Sequence, residues 1–226
     1  MSSTLILNIE TATTNCSVSL SRNGETIVLK EDYGKNYSHA ERLHVYIDDV
    51  LKEAKIDSTH LDAIAISKGP GSYTGLRIGV SAAKGLCFAL DKPLISVSTL
   101  EALAHQVKTR DGVIVAMLDA RRMEVYSAIY DANYSPLRDT QAQIIDENAF
   151  AEYLENGNVY FIGNGVEKTK TCINHPNAVF IENKLPSSKE MGILAYNKYK
   201  KNDTEDVAYF EPYYLKDFVA LKPKKA

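Results

Sequence analysis

The sequence predicts an α/β chain with mixed sheets, and three observations carry this. The first half reads strand, strand, strand, helix, strand, helix, strand, helix. An Asn23-Gly24 pair marks a tight hairpin between the second and third strands. The second half restarts with strands and repeats roughly the same order. The repeat is one of architecture, with no matching sequence period.

Leu5–Ile9 is a continuous apolar run, as in a strand buried on both faces. Cys16–Leu20 alternates, and Thr26–Leu29 returns across the Asn-Gly turn. A helix is expected over residues 38–55, with Ser38 and Glu41 in capping-box spacing and Leu43, Ile47, Val50, Leu51 and Ala54 on one face. Leu61–Ser67 is the next strand, a helix follows over residues 72–90, and "PLISVS" is a further strand. "STLEALAHQV" opens on a second capping box, Ser98 and Glu101. Beyond the least defined boundary, residues 98–112, "VIVAMLDA" and "MEVYSAIYD" form a hairpin around Arg121-Arg122, and "LRDTQAQI" is a candidate third strand. A helix over Asp146–Leu154, the strand "VYFIGN", the helix-like "GVEKTKTCIN", the strand "AVFIE" and the helix "SSKEMGILAYNKYKK" complete the pattern.

Composition limits the function classes. The chain has 226 residues and a net charge of −3, without the basic excess of a domain that grips nucleic acid alone. The only basic cluster is the tail, Lys222, Lys224 and Lys225. Three widely spaced cysteines, Cys16, Cys87 and Cys172, follow no metal-ligand spacing and match a reducing, cytoplasmic setting. No apolar run is long enough to span a bilayer, and no signal peptide is read.

The stretch "SKGPGSYTGLRIG", Ser67 to Gly79, carries four glycines between a strand and a helix. A P-loop needs Gly-x4-Gly-Lys-[Ser/Thr], whereas Leu76 follows Gly75 here. The dinucleotide fingerprint fails because Gly69, Gly71 and Gly75 have one residue too many in the second gap. Gly-x-Ser-x-Gly is also absent, so Ser72 reads as a helix cap rather than a nucleophile. Each interior glycine costs an isolated helix about 0.8–1 kcal/mol relative to alanine. Gly75, Gly79, Ala82, Ala83 and Gly85 therefore imply close packing, either within the chain or against another subunit. His39 and His44 are five apart, which on a helix points them about 140° apart, a poor pair for one metal ion. Asp119, Arg121 and Arg122 stand at a hairpin tip, as a turn with a surface ion pair or as part of a cleft or partner surface that receives a carboxylate or phosphate.

"GPGSYTGLRIGVSAAKGL" resembles the signature of the TsaB family, the small partner in bacterial threonylcarbamoyladenosine tRNA modification. "LILNIETATTNCSVSL", "YSHAERLHVYIDDVL", "ISVSTLEALA", "LDARRMEVYSAIY" and "EPYYLK" resemble further blocks of that family in the same order. The resemblance implies the actin-like ATPase and sugar-kinase (ribonuclease H-like) fold, with an N-terminal lobe over residues 1–100 and a smaller C-terminal lobe over residues 101–226. It implies a noncatalytic subunit, without metal or cofactor, that binds a TsaD-type transferase within a complex that includes a TsaE-type ATPase. The chain would form a homodimer when the partner is absent and meet tRNA only through the complex.

Active members of that fold place an aspartate and a glycine-rich turn at the first strand. Here Glu10 stands near the aspartate's place, and Ala12, Thr13 and Thr14 replace the glycines, so the nucleotide site is expected to be degraded. The expected partner surface comprises Ser38, His39, Arg42, Leu43 and Tyr46 on the first helix. It continues with Gly71, Ser72, Tyr73, Gly75, Leu76 and Arg77 at the glycine block, then Gly79, Val80, Ala82 and Ala83. Glu10, Asp119 and Arg121 are the candidate cleft residues. An ATP-dependent kinase or transferase of the same fold, a metallopeptidase, and a regulatory interaction protein are the alternatives.

Overall fold

The computed structural model describes residues 3–34 and 38–216. The tail lysines lie outside the described residues. Two five-stranded sheets repeat one topology. In the first, β1 (Leu5–Glu10), β2 (Cys16–Arg22), β3 (Glu25–Asp32), β4 (Ala63–Ser67) and β5 (Leu94–Val97) lie in the order β3-β2-β1-β4-β5. In the second, β6 (Val113–Asp119), β7 (Glu124–Asp131), β8 (Pro136–Ile144), β9 (Val159–Ile162) and β10 (Ala178–Ile181) lie in the order β8-β7-β6-β9-β10. Each is an antiparallel meander followed by two parallel strands. The repeated element order is thus a repeated fold.

Local chemistry explains the expected turns. Asn23 and Gly24 both take positive φ, 53° and 91°, the conformation a two-residue hairpin requires. The helices are α1 (His39–Ala54), α2 (Tyr73–Leu90), α3 (Thr99–Ala104), α4 (Ala151–Leu154), α5 (Val166–Cys172) and α6 (Ser188–Lys200). Ser72 and Ser98 cap α2 and α3 by accepting from the amides of Gly75 and Glu101. The capping box expected at Ser38 is not formed. Its hydroxyl instead donates to Asp32 Oδ2 at 3.2 Å, tying the start of α1 to β3. The helix expected over Asp146–Leu154 is reduced to α4, because turns occupy residues 147–150.

The layers show why β1 reads as unbroken apolar sequence. Leu5, Leu7 and Ile9 face α1 and α2, packing with Leu43, Ile47, Val50, Val80 and Cys87. Ile6, on the other face, packs with Met191, Leu194 and Ala195 of α6. In the second sheet Met117, Val125 and Phe161 pack with Phe150, Leu154 and Val166, while Ile114, Ala116 and Ala128 pack with Leu100 and Leu103 of α3. The two central helices are therefore exchanged. α3 begins in the first half and covers the second sheet, while α6 ends the second half and covers the first. A cut between residues 100 and 101 follows the sheets but divides α3 and assigns α6 to the wrong sheet. No described helix is long and apolar enough to cross a membrane.

Candidate functional site

The ends of β1 and β6 face each other across a cleft of about 740 Å³ between the lobes. On the first-lobe side the chain turns sharply after β1, and several groups in the turn are bonded inside the lobe. Glu10 is fully buried, and its Oε1 accepts from the Ala12 amide at 2.6 Å and the Ser67 hydroxyl at 2.8 Å. Its Oε2 has no partner, and burial pushes the Glu10 carboxyl up to about 7. The Ala12 carbonyl accepts from the Ser72 amide at 2.7 Å, and the Asn15 amide donates to Thr13 Oγ1 at 3.3 Å. The His39 ring, 2% exposed, donates from Nε2 to the Thr13 carbonyl at 2.7 Å, and burial holds its pKa below the usual histidine value.

A phosphate held at such a turn needs unshared N–H groups. Here the Ala12 amide is taken by Glu10 and the Asn15 amide by Thr13. Gly71 and Gly75 press against the same turn, since a Cβ on either would lie under 3.0 Å from the carbonyls of Ala12 and Thr11.

The second-lobe wall is the β6–β7 hairpin. Arg121 and Arg122 both take positive φ, 68° and 50°, which side-chain-bearing residues adopt reluctantly. The turn is held by Lys168 of α5, whose ammonium pairs with Asp119 and donates to the carbonyls of Arg122 (2.8 Å) and Glu124 (2.7 Å). Asp119 Oδ1 also accepts from the Arg121 amide at 2.8 Å, and the Asp119 amide donates to Asn164 Oδ1 at 2.9 Å. Asp119 is therefore a turn organiser with a lysine partner from another element. Lys168 has no mark in the sequence that would have singled it out. The structure brings Asp119 and Arg121 to the cleft, while Glu10 is sealed beneath it.

The expected partner surface divides by burial. His39, Leu43, Gly75, Leu76, Gly79, Val80 and Ala83 are buried within the first lobe. Gly75, Gly79 and Ala83 are thus packed within the lobe, whereas Ala82 is half-buried and Gly85 is exposed. Arg42 and Arg77 are exposed, and Ser38, Tyr46, Gly71, Ser72, Tyr73 and Ala82 are half-buried. Arg42 pairs with Asp32 and donates to Tyr46 Oη; Arg77 donates to Tyr73 Oη at 2.7 Å.

Between α1 and α2 lies an open groove of about 750 Å³, whose lining includes His44, Thr74, Ser81, Ala82 and Gly85. A Cβ at Gly85 would meet nothing within 4 Å, and Phe88 beside it is 87% exposed. Ser81 and Phe88 were missed in the sequence, where Gly85 was marked for close packing but not placed on the partner surface. Their signal was there: Thr74, Ile78, Ser81, Gly85 and Phe88 recur at three- and four-residue steps, opposite the buried stripe of Leu76, Gly79, Val80, Ala83 and Cys87. His44 is exposed and His39 buried. Among the described residues no three His, Cys, Asp or Glu side chains are grouped to hold a metal ion.

Comparison with known proteins agrees with this architecture. The family model for TsaD, tRNA N6-adenosine threonylcarbamoyltransferase, matches residues 35–224. The Escherichia coli tRNA threonylcarbamoyladenosine biosynthesis protein TsaB is 30% identical over 225 residues, covering 96% of each chain. The Haemophilus influenzae protein of the same name is 29% identical over 237 residues, covering 98% of each. The solved structure of YeaZ from Pseudomonas aeruginosa superposes with a TM-score of 0.81 at 27% identity, covering 94% of this chain and all (100%) of that one. Similarity along nearly the full length and a matching fold agree: the chain belongs to the TsaB family.

Proposed function

We propose that this chain works in threonylcarbamoyladenosine biosynthesis as a noncatalytic subunit. It binds and activates a TsaD-type transferase that modifies N6 of adenosine in ANN-decoding tRNAs, within a complex that includes a TsaE-type ATPase. One observation carries the reading: the α1–α2 groove is floored by the small residues Ser81, Ala82 and Gly85, and the exposed apolar Phe88 stands three residues beyond Gly85 on the same helix. An apolar patch with a small-residue floor suits a partner helix that approaches closely. The engagement of the Ala12 and Asn15 amides by side chains of the same turn supports a binding role over a phosphate-transferring one. The same groove offers itself to a second copy of the chain when the partner is absent, and tRNA is met through the complex.

Isothermal titration of the chain against the TsaD-type protein of the same cell tests this, with ATP titrated in parallel. Micromolar or tighter binding, abolished by Gly85→Arg without loss of thermal stability, is the expected result. Gly85 is the suitable position because its Cα faces open space. Tight ATP binding with no partner binding would overturn the reading and favour a kinase-like activity.

A further inference from the structure

The chain after α6 is bonded at intervals along its described length. Glu205 pairs with the edge of β5, its amide donating to the Leu94 carbonyl at 2.8 Å and its carboxylate accepting from Ser96 Oγ. The segment then runs back along α2 toward that helix's N-terminus. Lys84 donates to the carbonyls of Ala208 (3.0 Å) and Phe210 (3.1 Å), and the Tyr213 amide donates to the Lys68 carbonyl at 2.7 Å. The Tyr214 ring lies on Tyr73, with centroids 5.1 Å apart. Tyr73 in turn carries the Arg77 guanidinium, 5.3 Å from its ring centroid. Lys216 then crosses to the second lobe and pairs with Glu124, directly after the Arg121-Arg122 turn.

Tyr73, Thr74 and Ile78 line both the interlobe cleft and the α1–α2 groove. The segment therefore grips the second lobe at one end and, two residues earlier, the residue that divides the two cavities. We infer that Tyr213–Lys216 is a latch that couples the separation of the lobes to the shape of the partner-binding groove. The coupling rests on the function proposed above; the bracing does not. Opening the cleft pulls Lys216 from Glu124, releases Tyr214 from Tyr73, and frees Arg77 at the groove's rim. A partner that reads Arg77 thereby senses the cleft.

Amide hydrogen exchange on the full free chain tests the bracing, using Tyr214→Ala and the exposed, non-core change Lys216→Glu. Faster exchange is expected in both the 119–124 hairpin and the first turns of α2. The decisive result is Lys216→Glu reaching α2, since a purely local role would disturb the hairpin alone. Unchanged exchange at α2 in Lys216→Glu overturns the latch, whatever Tyr214→Ala does. Titration of the same proteins with the TsaD-type partner tests the consequence. An affinity loss of about fivefold is expected, the scale of one lost aromatic pair. Faster exchange with undiminished affinity overturns the coupling while leaving the function standing. Absence of binding by the unaltered chain overturns the function, and exchange alone then decides the bracing.

Discussion

Gly79 of α2 faces Thr11 of the β1 turn so closely that a Cβ there would lie under 3.0 Å from the Thr11 hydroxyl oxygen. Ile66 of β4 closes the same space from the sheet, with its Cδ1 3.0 Å from that Cβ position. The glycine is thus a point of contact between helix and sheet. Gly79→Leu is expected to destabilise the fold by about 1–3 kcal/mol or more through overpacking, and to lower partner binding only through lost folded protein. Urea unfolding beside a titration at matched folded concentration checks this. A stable variant with selectively lost binding would contradict it.

Glu10 sets a pH dependence. Its carboxyl is pushed up from 4.5 to about 7 by burial, so the folded chain holds a proton there that the unfolded chain releases. Stability from this group is fully present below pH 4.5 and falls as pH rises to about 7, by an order of about 3 kcal/mol. Glu10→Gln keeps an oxygen for Ala12 and Ser67 and replaces the partnerless Oε2, and is expected to be the more stable protein above pH 7. His39 acts in the opposite sense. Burial lowers its pKa, so its contribution is present above the unfolded value of 6.5 and is lost as pH falls below it. Thermal unfolding of both proteins from pH 5 to pH 8 (about the neutral range where stability is usually greatest) separates the two. A Glu10→Gln profile that parallels the unaltered chain would refute the Glu10 assignment.

Lys168 holds the β6–β7 hairpin by three acceptors at once, with its side chain only 17% exposed. Lys168→Met leaves Asp119 and the carbonyls of Arg122 and Glu124 without that donor. The expected cost is about 1–3 kcal/mol, the scale of leaving such groups unsatisfied. The hairpin bearing two positive-φ arginines is expected to loosen first. Chemical denaturation measures the first effect, and backbone relaxation by NMR over residues 119–124 the second. Unaltered hairpin order in Lys168→Met would show that the turn holds its own shape.

The sequence by itself determined the strands, the helices and their doubled order, because hydrophobic periodicity and turn chemistry are local. The apolar run Leu5–Ile9, the Asn23-Gly24 turn and the caps at Ser72 and Ser98 each follow from a few neighbouring residues. Only the tertiary structure decided which side of α2 is used where. Gly79 and Gly85 are the same residue type on one helix, yet one meets Thr11 and the other meets open space. That difference depends on which strand passes beneath, a contact between segments far apart in the chain. The exchange of α3 and α6 between sheets, and the meeting of Lys168 with Asp119 and of Lys216 with Glu124, arise in the same way. Each joins elements whose closeness follows from sheet order and helix crossing, and neither leaves a local mark on the residues it unites.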